Sequence, residues 1–336
     1  MTQGGTVHSP LASPRATSER LKELGLYTKK SLGQHFLIDD NVIGRILALA
    51  EVQPDDAVLE VGPGIGTLTL ALQTTGAQVT AIEYDEALVE PLRAITDPAR
   101  VEVVHADAAK WLGTIGAQAR QRILHTPRSI SLRRATVSST LTDELTCCAS
   151  GSLPNSAKGS VKLSHCACTP TVLVANLPYQ IAATVTLRAF ETLPQLKSAT
   201  VMVQREVAER MSARPGTKDY SGYTAKLRLL AKPAGRFEVA RSCFLPPPNV
   251  DSTVIRLERI HPAPSVEAYT CTEALIGIAF AHRRKTLRNN LLAAYPAARI
   301  DEALAITGID PRARAETLAP DQFIELADAL GKPNKT

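Results

Sequence analysis

Between residues 57 and 107 the chain alternates short branched-aliphatic runs with segments of helical period: "AVLEVG", "GTLTLALQTT", "QVTAIEY", "DEALVEPLRAI" and "VEVVHAD". Strands that are apolar along their whole length must be covered on both faces. A helix between each successive pair is what a parallel sheet requires. The rhythm resumes with "TVLVAN", a helix from Ile181 to about Thr192, and "ATVMVQ". The chain is therefore expected to form a doubly wound, Rossmann-like α/β sheet, with ligands at the carboxyl ends of its strands. Ahead of it, "NVIGRILALA" reads as a helix with Asp39 and Asp40 as N-caps.

Beyond Arg205 the pattern turns more helical. "FEVARSCFLPPPNVDSTVIRLERI" reads as two strands around a proline-stiffened loop, and "HPAPS" (261–265) as a linker. Short helices then follow to the end. With 336 residues the chain is long enough for about two domains. The expected division is a disordered tail over 1–27, an α/β domain over 28–260 and a small α-helical domain over 266–332. Residues 113–170 interrupt the rhythm: they are rich in Ser, Thr, Arg and Cys, lack a steady period, and belong to the 69-position interval between Asp107 and Asn176. A strand-to-strand step needs far fewer residues, so this segment is expected to be an exposed, flexible insertion.

Four of the six cysteines, Cys147, Cys148, Cys166 and Cys168, fall in that insertion. Their spacing is not the paired C-x₂-C form, and no metal site is expected. The opening "MTQGGTVHSPLASPRATSER" lacks the apolar stretch of a secretory signal, and no run approaches the ~18 apolar residues of a membrane span. A soluble, cytoplasmic protein with reduced thiols is the expectation. Lys and Arg exceed Asp and Glu by 38 to 33, an excess compatible with a polyanionic partner but not demanding one.

The chemistry gathers at the strand ends. "LEVGPGIGTLT" runs from a strand through Gly62, Gly64 and Gly66 into a helix, in the form E-x-G-x-G-x-G rather than the dinucleotide form G-x-G-x-x-G. Glu83 ends the second strand, where a carboxylate can grip a ribose diol, and Asp107 ends the third. Each alone could be a turn residue or an N-cap. Three successive strand ends with suitable groups favour an adenosine-containing cofactor. The strand "TVLVAN" then ends in "NLPYQ", which offers an amide at Asn176, a stiffened turn at Pro178 and a ring at Tyr179.

Taken in order, these motifs resemble the class I S-adenosylmethionine-dependent methyltransferases that act on an exocyclic amine. "KKSLGQHFLIDDNVI", "CFLPPPNVDSTVIRL" and "FAHRRKTLRNNL" narrow the resemblance to the ribosomal RNA adenine dimethyltransferases, and most closely to the small-subunit enzymes of the kasugamycin-resistance type. It covers roughly residues 28–112 and 171–330. The resemblance implies a methyltransferase sheet with a small helical C-terminal domain. It implies S-adenosyl-L-methionine as cofactor, held by His35, Leu37, Gly62, Glu83, Asp107 and Asn176. His35 stands where many members carry Asn, and Gln180 where an Asn is frequent. "KDYSGYTAKLRLLA" (218–231) also departs from the commoner wording.

The implied substrate is two adjacent adenosines near the 3′ end of small-subunit (16S) rRNA, dimethylated at N6 within an immature small subunit by a monomeric enzyme during ribosome biogenesis. Catalysis would fall to Asn176, Leu177, Pro178 and Tyr179: acceptors from the Asn176 side chain and a turn carbonyl orient the amine, and the Tyr179 ring stacks on the extruded base. Phe244 is a candidate second wall, with a core phenylalanine as its alternative. "HRRKTLR" places Arg283, Arg284, Lys285 and Arg288 within two turns of a helix, as candidates for phosphate contact, with Lys29 and Lys30 behind them. Two other functions share these features: a large-subunit rRNA methyltransferase of the antibiotic-resistance type, and a non-catalytic ribosome assembly factor.

Overall fold

The structure is a computed structural model, and it describes residues 8–25, 35–115 and 169–331. Among these, the strands in chain order are β1 (Phe36–Leu37), β2 (Ala57–Val61), β3 (Gln78–Glu83), β4 (Val101–His105), β5 (Val172–Asn176) and β6 (Ser198–Gln204), then β7 (Ala231–Val239), β8 (Phe244–Leu245) and β9 (Ser252–Arg259). The first helices are α1 (Pro14–Glu23), α2 (Asp40–Ala50), α3 (Thr67–Gln73), α4 (Glu86–Ile95) and α5 (108–115). They are followed by α6 (Ala182–Thr192), α7 (Arg205–Ser212) and α8 (Gly222–Arg228). The C-terminal helices are α9 (Val266–Ala279), α10 (Leu287–Leu291), α11 (Ala297–Thr307) and α12 (Pro320–Leu330).

Seven strands form one sheet in the order β4-β3-β2-β5-β6-β9-β7. The five from β4 to β6 are mutually parallel, as their unbroken apolar runs require. β9 inserts antiparallel between β6 and β7, so the sheet is mixed at that end. The strand order reverses between β2 and β5, and helices cover both faces. β1 and β8 pair separately as a two-stranded ribbon, Phe36 opposite Leu245 and Leu37 opposite Phe244.

The amino ends of β2 and β5 are tied by Asp56. Its carboxylate accepts from the Gln53 N–H (2.9 Å), the Thr171 hydroxyl (3.0 Å) and Lys197 Nζ (3.1 Å). These bonds outweigh burial and hold its pKa below the usual carboxylate value.

The expectation of a disordered tail over 1–27 is corrected for residues 8–25. Ser13 caps α1 through the Ala16 N–H, and Leu21 packs with Phe36, Ile65 and Leu88. The backbone N–H groups of His8 and Ser9 donate to the Asp40 carboxylate at 3.0 and 2.8 Å, bracing the start of α2. The His8 ring lies where a Cβ on Gly44 would come within 2.6 Å of it. Asp39 is the N-cap of α2, and Asp40 takes the first helical position.

The C-terminal helices share the sheet's apolar core. One buried cluster runs from Leu173, Val201 and Ile255 to Leu275, Leu304 and Phe323. Tyr220, Phe280 and Phe323 form an aromatic chain along it, with centroids 6.2 and 5.9 Å apart. A second correction concerns the basic run. Thr286 caps α10, so Arg283, Arg284 and Lys285 occupy an exposed turn before the helix and only Arg288 lies in it. The insertion lies outside the described residues apart from a few residues at either end, and its four cysteines lie outside them too; Cys243 and Cys271 are free thiols. No described helix is long and apolar enough to cross a membrane.

Candidate active site

The carboxyl ends of β2, β3, β4 and β5 open on one cavity of about 380 Å³. His35, Leu37, Gly62, Glu83, Asp107 and Asn176 all line it, as do Leu177, Pro178 and Tyr179. Residues separated by up to 144 positions (35 to 179) thus share a wall. The parallel topology brings them there: each strand delivers its last residue to the same edge.

The glycine turn forms the floor. Gly62 has φ +70°, and a Cβ there would approach Pro178 Cδ to 3.3 Å. The turn after β2 and the turn after β5 are therefore in direct contact, and a side chain at this left-handed position would be strained and would press on the Pro178 ring. Gly64 has φ +60° and donates its N–H to Glu83 Oε2 at 3.0 Å. Glu83 Oε1 accepts from the N–H groups of Tyr84 and Asp85, both at 2.8 Å. Three of the roughly four acceptor sites of the carboxylate are then filled, with one left for a further donor. Burial pushes the Glu83 carboxyl up in pKa, against the opposing pull of these N–H groups.

Asp107 follows β4 and caps α5: its Oδ1 accepts from the Ala109 and Lys110 N–H groups at 2.9 and 3.1 Å. The N-cap and cavity-lining roles coexist in one side chain, because the second oxygen has no partner among the described residues.

On the opposite wall, Asn176 Nδ2 donates to the His35 carbonyl at 3.3 Å. That bond sets the amide orientation and leaves Oδ1 as an acceptor. The Pro178 carbonyl accepts from the Ile181 N–H at 3.1 Å, whereas the Leu177 carbonyl accepts no hydrogen bond among the described residues. The Tyr179 ring stacks with His35, centroids 5.7 Å apart at 28°, and its hydroxyl lies 2.8 Å from Ser252 Oγ. The His35 Nδ1 is bonded to the Pro246 carbonyl at 2.9 Å, which makes Nδ1 the protonated nitrogen.

Phe244 does not join this wall. It is 2% exposed, in β8, and packs with Leu37, Val254 and Val239 beneath the site. Arg283, Arg284 and Lys285 stand outside the cavity on their exposed turn, and Arg283 Nη2 donates to the Lys218 carbonyl at 3.2 Å. Arg288 makes a two-pronged ion pair with Asp301, at 2.6 and 2.8 Å, which ties α10 to α11. Lys29 and Lys30 lie outside the described residues. The cavity also includes Phe36, Tyr84 and Leu88, none of which the sequence reading singled out. Tyr84 is the most readable of them: an exposed aromatic residue directly after the acidic strand end is a signal in itself.

Residues 25–332 match the family model described as "Ribosomal RNA adenine dimethylase". A protein of Thermobifida fusca (strain YX) named "Ribosomal RNA small subunit methyltransferase A" is 36% identical over 98% of this chain and 99% of its own length. A protein of the same name from Geobacillus thermodenitrificans is 34% identical over 96% and 98%. Among solved structures, a 23S rRNA methyltransferase, ErmE, is similar with TM-score 0.55 and 26% identity, over 88% of this chain and 99% of its own. A dimethyladenosine transferase from Plasmodium falciparum shares the fold, with TM-score 0.60 and 22% identity over 87% and 96%.

Proposed function

The chain belongs to the ribosomal RNA adenine dimethylase family, and from that premise we propose that it dimethylates N6 of two adjacent adenosines near the 3′ end of small-subunit rRNA, within an immature small subunit. The cavity suits S-adenosyl-L-methionine. Its glycine floor has no Cβ to fill it, Glu83 keeps one acceptor site for a ribose hydroxyl, and Asp107 keeps one oxygen for a donor on the base. Phe36, Leu37, Ile82 and Leu88 supply apolar walls. When bound, the cofactor's sulfonium supplies an electrophilic methyl group with a neutral thioether as leaving group.

The protein's task is then to shape a poor nucleophile. The N6 lone pair of adenine is delocalised into the ring. An amine with both N–H bonds held by acceptors pyramidalises and localises that pair. The observation that carries the reading is a pair of acceptors at one turn with no donor among the described residues: Asn176 Oδ1, oriented by the bond from Nδ2 to His35, and the Leu177 carbonyl, the neighbouring Pro178 carbonyl being taken by the Ile181 N–H. The Tyr179 ring offers a face to the extruded base. Positioning is the main contribution, and no covalent enzyme nucleophile takes part. The exposed Arg283, Arg284 and Lys285 are placed for phosphate contact, while Arg288 serves through Asp301.

The direct test is methyl transfer from labelled cofactor to under-methylated small subunits, followed by nucleoside analysis. N6,N6-dimethyladenosine in the small-subunit RNA is the expected product. Label in large-subunit RNA alone would transfer the reading to the antibiotic-resistance type, and no label in either would favour an assembly factor. Within the same assay, Asn176→Ala should lower the single-turnover rate at least ~100-fold, comparable to losing a preorganised transition-state hydrogen bond. RNA affinity should hold, because phosphate contacts dominate it. A folded Asn176→Ala protein that methylates normally would remove Asn176 from the mechanism.

A further inference from the structure

We infer that Ser252 is a positioning residue for the target base, acting through the phenol of Tyr179. The inference rests on the reading above, in which Tyr179 faces that base. Tyr179 belongs to a turn, and a ring on a turn can swing about two side-chain torsions unless something pins it. Two contacts do so here. The His35 imidazole stacks on the ring at 5.7 Å, and the Ser252 hydroxyl meets the phenol at 2.8 Å.

Both contacts are anchored by the same stretch of chain. The Pro246 carbonyl bonds His35 Nδ1 at 2.9 Å, and six residues on, Ser252 bonds Tyr179. Ser252 is fully buried and opens β9, with Gln204 of β6 on one side and Val239 of β7 on the other. The phenol is therefore held from a point fixed in the sheet, one strand removed from β5, which ends in Asn176. The amine acceptors and the stacking ring are thereby referred to one rigid frame. Ser252 itself does not line the cavity, so it acts on the base only through Tyr179.

This arrangement separates the two parts of Tyr179. The ring supplies the stacking surface and the hydroxyl sets its angle. The expectation is that removing the hydroxyl alone lowers the rate even though the stacking area is intact. A displacement of about 1 Å at a reacting centre can cost about a hundredfold, so a loss of at least tenfold in the saturated single-turnover rate is the expected reading.

The experiment compares Ser252→Ala, Tyr179→Phe, the double variant and Tyr179→Ala, using small subunits as substrate. Melting temperature, cofactor affinity and subunit affinity are measured on each. Support consists of tenfold or greater losses in rate for Ser252→Ala and Tyr179→Phe, no further loss in the double variant, and unchanged affinities. A purely structural hydroxyl would instead lower melting temperature and cofactor affinity and leave the saturated rate alone. A folded Ser252→Ala enzyme with native rate, beside an impaired Tyr179→Ala, would overturn the inference and leave the role of Tyr179 standing. A native rate in Tyr179→Ala would defeat that role, and the inference with it. If Ser252→Ala does not fold, Tyr179→Phe decides: it breaks the same hydrogen bond from the cavity side, and a native rate there overturns the inference.

Discussion

Glu60 lies one residue inside the end of β2, 1% exposed, and its Oε2 has no partner among the described residues. Burial, with the nearby Glu83 charge adding to it, pushes its carboxyl up to about 8 from 4.5. At neutral pH it is held as an uncharged acid. Folding therefore takes up a proton: the contribution of this group to stability is fully present below about pH 4.5 and is lost as pH rises toward about 8, by roughly 1.4 kcal/mol per pH unit. Glu60→Gln mimics the neutral form and removes that dependence. Melting curves from pH 5 to 9 should show the variant gaining on the parent as pH rises, with the gap levelling off above about pH 8. Two parallel curves would mean that Glu60 is ionised in the fold.

At the scale of elements, the exposed turn before α10 carries the electrostatic prediction. Arg284 and Lys285 make no ion pair among the described residues, and Arg283 reaches only a backbone carbonyl. Replacing all three with Ala should weaken small-subunit binding and reduce its salt dependence, each lost phosphate contact lowering the slope by about 0.7–0.9. Cofactor affinity should hold. An unchanged salt slope would assign the turn to solvent.

The same turn shows where sequence stops being legible. The helical pattern of "LRNNLL" can be extended backward through the basic run, and the Thr286 cap, a local hydrogen bond to the Asn289 N–H, starts the helix at Leu287. α1 was hidden for a related reason. "PRATSERLKE" is polar and buries only Thr17 and Leu21; its packing partner Phe36, and Asp40, which holds the His8–Ser9 stretch ahead of it, lie well downstream. The parallel strands and the cavity residues Gly62, Glu83, Asp107 and Asn176 were readable because strand period and strand-end chemistry are local. Phe244 was not, since a proline loop shows that a ring is needed but not which way it faces. The insertion of β9 between β6 and β7 is a matter of strand order, which no local pattern encodes.

For the whole molecule, the continuous core makes a definite demand. Phe323 is fully buried on α12, and its chain of rings reaches Tyr220, whose hydroxyl donates to the Leu318 carbonyl at 3.0 Å. Phe323→Ala should cost about 3–5 kcal/mol. The loss should appear as one calorimetric transition moved to lower temperature, with cofactor still raising that transition. Two transitions, of which the cofactor-responsive one stays in place, would mean that residues 266–332 fold as a unit of their own.

The Asp56 clamp has a consequence of a practical kind. Asp56 holds Thr171 and Lys197 just ahead of β5 and β6, at the end of the parallel strands opposite the one that opens on the cavity, so residue 169 enters the sheet on the side away from the cavity. A fluorescent label carried at residue 169 would therefore report on the enzyme from the side of the sheet opposite the cavity mouth.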